Sequence, residues 1–179
     1  MENRNILTKK ENILVFGLII LAIVLTRLLP HPVNFAPVAA VSLFAGAHMT
    51  GRSKYFIPLL IMFLSDLFLG FHSTMIFVYG AFTLSVFLGR YLKQTNFYKT
   101  TTLTLFSSVL FFLITNFGVW LMNSMYEKSF FGLMQCYLMG IPFFRNTVLG
   151  DLMYTYAFFY GYRFISQYFR MKVVPNKAS

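Results

Sequence analysis

Acidic side chains are scarce in this chain. Its 179 residues hold 5 Asp and Glu against 15 Lys and Arg, a formal net charge of +10, and only 11% of all residues are charged. Ordinary globular chains devote about a quarter of their residues to charge, so a water-facing surface of normal polarity is excluded. Cysteine is scarcer still: Cys136 stands alone, which rules out an internal disulfide and leaves the redox compartment open. The signatures of common chemistries are missing too. No Gly-Lys pair occurs, so the chain has no phosphate-binding loop with which to energise transport, and neither His-Glu-x-x-His nor Gly-x-Ser-x-Gly is present. No enzyme activity and no cofactor is therefore expected. His31, His48, His72 and Cys136 follow no metal-ligand spacing, so no metal site is expected either.

What the chain does have is grease. Hydrophobic residues make up 58% of it, gathered in six long runs separated by short polar clusters. That pattern predicts an all-α polytopic membrane protein, a bundle of six transmembrane helices. A basic balance can mark a nucleic-acid partner. Here the cations sit at alternate ends of the apolar runs and form no basic face, so the expected partner is the lipid bilayer and not nucleic acid.

The first run follows Lys9 and Lys10 as a signal sequence would, but Arg27 and Pro30 close it where a cleavage site should stand. It is expected to stay as the first membrane helix. The expected division is a basic cytoplasmic tail over 1–12, a membrane domain over 13–169 and a second basic tail over 170–179. Within that domain the helices are expected at about 13–29, 35–49, 55–71, 74–91, 100–122 and 143–169, with residues 123–142 as a long aromatic loop lying along the interface. Helix 2 is rich in small residues, with Ala36 and Ala40, and Ser42 and Gly46, four apart. Helix 4 repeats the device in Ala81, Ser85 and Gly89. Such strips allow close helix approach, which makes helix 2 the expected centre.

In this arrangement Arg27, Lys128 and Arg145 lie on one side, and the other twelve of the 15 Lys and Arg lie on the opposite side. The bias places both termini in the cytoplasm of a bacterial cell, in the inner membrane. The unusual polar groups then gather at the outer face: Arg27, His31 and Asn34 in the first outer loop, Asp66 and His72 around the second, and Asn116, Trp120, Asn123, Arg145 and Asn146 around the third. Polar groups in hydrocarbon face a cavity or one another, so these ten are the expected lining of a substrate pocket. Three prolines, Pro30, Pro32 and Pro37, should stiffen the loop that carries His31 and Asn34. Asn116, Trp120 and Asn123 are spaced to share one face of helix 5, which could offer amides around an indole plate to a planar ligand. Arg27 or Arg145 could hold an anionic group. An ion pair from Asp66 to Arg27 or Arg145 is the competing structural reading, and Asp151, deeper in helix 6, also needs a partner.

The runs Arg27-Leu-Leu-Pro-His-Pro-Val-Asn-Phe-Ala-Pro37, Ser65-Asp-Leu-Phe-Leu-Gly-Phe-His72, Asn116-Phe-Gly-Val-Trp120 and Gly140-Ile-Pro-Phe-Phe-Arg-Asn-Thr-Val-Leu-Gly-Asp151 resemble a family of bacterial inner-membrane proteins labelled as transport proteins. That family in turn resembles the substrate-binding (S) subunits of energy-coupling factor vitamin transporters. The resemblance implies capture of a small vitamin-like solute, a transmembrane coupling subunit with two ATPases as partner, and outer loops that close over the ligand. The alanines four apart on helix 1 that such subunits use for docking are absent, since only Gly17 and Ala22 interrupt its bulky residues. The alternative is a structural subunit of a cell-envelope assembly, in which the small strips of helices 2 and 4 would be partner surfaces.

Overall fold

The computed structural model describes residues 20–93 and 96–173. Within them the protein is entirely helical, with six helices and no strand. Helix α1 covers residues 20–28; its expected start near Ile13, the tail over 1–12 and positions 174–179 of the tail expected over 170–179 lie outside the described residues, while 170–173 of that tail are helical. Then come α2 (Val38–His48), α3 (Ser53–Leu69), α4 (Met75–Gly89) with a 3₁₀ turn at Arg90–Leu92, α5 (Phe97–Met122) and α6 (Phe130–Val173). Two segments, Met75–Leu92 and Phe97–Met122, are long and apolar enough to cross a membrane.

Proline and glycine set the boundaries. Between α1 and α2, Pro30 and Pro32 deny the backbone its helical donors, and Asn34 takes a left-handed turn at φ 64°. Phe35 N–H then bonds Pro32 C=O at 3.0 Å, and helix resumes after Pro37. Gly70, at φ 93°, ends α3 by donating its N–H to Asp66 C=O at 2.9 Å.

Helix α2 is the centre of the molecule, as its small residues led us to expect. Every residue of it except Phe44 and His48 is buried. It is also short: 11 residues rise about 16 Å, half of a 30 Å hydrocarbon layer. Its small strip packs on that of α4. A Cβ added to Gly46 would collide with the Val86 carbonyl, and one added to Gly89 with the Leu43 carbonyl. Both strips are therefore consumed inside the chain and are not available as surfaces for a partner.

Helix α6 differs most from expectation. It begins at Phe130, so the aromatic stretch after Ser129 is helix and not loop, and Pro142 lies inside it. A proline in the interior of an apolar helix is tolerated where neighbouring helices satisfy the freed carbonyl. Its 44 residues rise about 66 Å, more than a bilayer needs. The helix runs antiparallel to α5, with Tyr137 Oη donating to Leu113 C=O at 2.9 Å near one end and Tyr156 sharing a 2.6 Å hydrogen bond with Thr101 near the other. Beyond Tyr156 it continues past the first residue of α5, which packs its ring on Tyr156 at 5.6 Å.

Candidate functional site

Among the described residues, the buried polar side chains almost all find partners, the Thr100 and Thr155 hydroxyls being the exceptions. Ser and Thr hydroxyls on the packed faces return to carbonyls one turn back, as Ser42 does to Val38, Ser85 to Ala81 and Thr104 to Thr100. Asp66 is 1% exposed and satisfied at both oxygens. Arg27 Nη2 lies 3.2 Å from its Oδ1, and Tyr79 Oη donates to its Oδ2 at 2.7 Å. Arg27 also donates to Ser65. The cluster stitches α1, α3 and α4 together, and it is the only ion pair among the described residues.

A cavity of about 420 Å³ opens beside it at Arg27, and a second of about 360 Å³ adjoins the first. Both have Val33, Asn34, Val78, Phe111 and Thr147 in their walls, so the proline-stiffened loop stands between them. That loop is docked on α6: Asn146 Nδ2 donates to Val33 C=O at 3.2 Å, and Gly150 lets Phe35 come close. The larger cavity has Leu69 and His72 at the α3–α4 turn, and Val38, Ala39 and Asp151 at its base. Since Ser108 of α5 donates to Asp151 at 2.6 Å, the base lies near the middle of α5.

The ten residues singled out from the sequence divide. Arg27, His31, Asn34 and His72 line the larger cavity, and Asn34 and Asn116 the smaller one. Asp66 sits behind Arg27 as its counter-charge. Asn146 positions the loop. Trp120 and Asn123 serve the α5–α6 turn: the indole N–H donates to Glu127 C=O at 2.8 Å, and Lys128 donates to the carbonyls of Trp120 and Asn123 and lies over the indole ring. Neither Trp120 nor Asn123 lines either cavity. Arg145 lines neither cavity; it is exposed in mid-helix among Leu138, Ile141 and Leu149, which share its face. His31 and His72 hydrogen-bond locally, to Leu29 C=O at 2.6 Å and Thr74 Oγ1 at 2.8 Å. His48 is at the far end of α2, stacked on Phe44.

Asp151, of which the sequence says only that it needs a partner, is the carboxylate that lines the larger cavity. The available signal was its spacing, four residues from both Thr147 and Thr155, which puts one polar stripe on the buried face of α6. No three His, Cys, Asp or Glu among the described residues lie close enough to hold a metal ion.

A family described as a family of unknown function, DUF6580, matches residues 7–174. No curated protein and no solved structure matches the chain.

Proposed function

We propose, for a chain that belongs to this family of unknown function, that it is a six-span inner-membrane transport protein whose cavity captures a small vitamin-like solute from the outer side. The observation that carries the reading is the cavity itself. A folded chain this rich in hydrocarbon has little reason to leave about 420 Å³ open beside buried polar groups unless something else fills the space.

Sidedness supports an outward mouth. The end with the α3–α4 and α5–α6 turns carries few cations, and the end with Arg52, Lys54, Arg90, Lys93, Lys99 and Arg163 carries many. The positive-inside bias assigns that second end, and both termini, to the cytoplasm. The loop at 29–37 then lies at depth, where irregular backbone is tolerated only against protein or a cavity. A membrane-embedded coupling partner is supported by Arg145, a cation among exposed apolar residues that a carboxylate on a neighbouring helix would neutralise. The rival reading, a structural subunit of an envelope assembly, is weakened because the strips on α2 and α4 are already packed together.

Gentle purification from membranes followed by protein identification separates the two. Transport predicts a membrane coupling subunit with ATPases alongside the chain. Recovery of cell-wall synthesis proteins instead would favour the scaffold.

A further inference from the structure

Of the charged side-chain types in the wall of the larger cavity, Arg27 already has a counter-charge and Asp151 has none. Arg27 is committed to Asp66 at 3.2 Å, so that pair presents no net charge to a guest. Asp151 is different. It is 2% exposed, it lies at the base of the cavity, and among the described residues no Lys, Arg or His nitrogen comes within salt-bridge distance of it. Its one side-chain donor is the neutral Ser108 hydroxyl at 2.6 Å. A carboxylate can accept about four hydrogen bonds, so most of its capacity is unused. Burying such a group without a counter-charge is costly, and the fold places none there.

The walls around it are apolar and aromatic. Val38, Ala39 and Met62 contribute surface, and Phe82 and Phe111, with ring centroids 5.0 Å apart, add aromatic rings of the kind that attract cations. The arrangement matches an amphipathic guest with a hydrocarbon or aromatic body and a positively charged nitrogen. We propose that the solute taken by this cavity carries a protonated nitrogen, and that Asp151 is the group that receives it. The proposal rests on reading the cavity as a solute site, and it names the chemistry of that solute. The N–H donors of the guest would complete the coordination of the carboxylate, and its departure would leave Asp151 with the Ser108 hydroxyl as its side-chain donor.

The test uses the full chain in lipid nanodiscs, with the thermal midpoint read in benzylammonium chloride, benzyl alcohol or sodium benzoate. These three probes share a ring and differ in charge. Benzylammonium should stabilise the protein at a concentration about tenfold below benzyl alcohol, as a charge-assisted hydrogen bond implies, and benzoate should not stabilise it. In Asp151→Asn the preference should vanish, while the midpoint without any probe stays level or rises, because an amide of the same shape removes a buried charge. Ser108→Ala keeps the carboxylate and should keep the preference, which guards against a first variant that fails to fold. Preference for benzoate, a preference that survives in Asp151→Asn, or one that disappears in Ser108→Ala would overturn the proposal. Stabilisation by benzyl alcohol or benzoate without benzylammonium would sink only the charge assignment and leave the cavity as a solute site. No response to any probe, with no small molecule retained by the purified protein, would remove both.

Discussion

Arg27 Nη2 and Asp66 Oδ1 face each other at 3.2 Å across the gap between α1 and α3, and Tyr79 of α4 closes the far side of the carboxylate. Three helices thus meet on one ion pair, with the acid almost fully buried and the base only 15% exposed. Removing either partner strands the other in a poorly hydrated place.

Asp66→Ala should therefore destabilise the protein by about 3 kcal/mol, and Arg27→Ala by a similar amount. The double variant should lose less than the sum of the two. Tyr79→Phe removes one charge-assisted donor and should cost about 2 kcal/mol. Thermal or denaturant unfolding in detergent checks all four; additive losses would show that the pair does not act as a unit.

Gly46 and Gly89 allow α2 and α4 to touch backbone to backbone. Alanine at either position must push the helices apart and should lower the melting midpoint sharply, with loss of folded yield. Gly80 and Gly161 have open space where a Cβ would stand, so Gly80→Ala should be tolerated. Equal behaviour of Gly46→Ala and Gly80→Ala would contradict the crossing.

Asn34 holds a left-handed conformation at φ 64°. Asn34→Val should cost about 1–2 kcal/mol, whereas Asn34→Gly should leave stability nearly unchanged. Because the Asn34 side chain also faces both cavities, the glycine variant should fold and yet hold its solute less tightly. Melting midpoints together with solute retention separate the two effects.

Sidedness can be read with cysteines. Cys136 is buried, so a Cys136→Ser background carrying Ser73→Cys or Ser53→Cys reports the two ends of the bundle. A membrane-impermeant maleimide added to intact cells with a permeabilised outer membrane should label position 73 and reach position 53 only after lysis. Labelling of both from one side would contradict the six-span arrangement.

Much of this was legible from residue types. The central place of α2 followed from its alanines and Gly46, and the cost of lone charge in hydrocarbon called for a partner to Asp66 but left Arg27 and Arg145 open; the fold chooses Arg27. The start of α6 was not legible, because Pro142 reads as a helix boundary in water and is no boundary here. Trp120 and Asn116 share a helix face, but spacing alone says nothing about the turn at Glu127 and Lys128 that holds the indole. That Asp151 needs a partner was legible, but its role depends on which helix lies opposite it, and only the register of α5 against α6 reveals Ser108 and the cavity.

Native mass spectrometry of the gently purified chain tests the central claim most directly. The wild-type protein should carry a small molecule besides lipid, and Val33→Trp, which crowds the larger cavity from an exposed position in its wall, should lose it while still folding. An identical, lipid-only spectrum for both proteins would contradict the account.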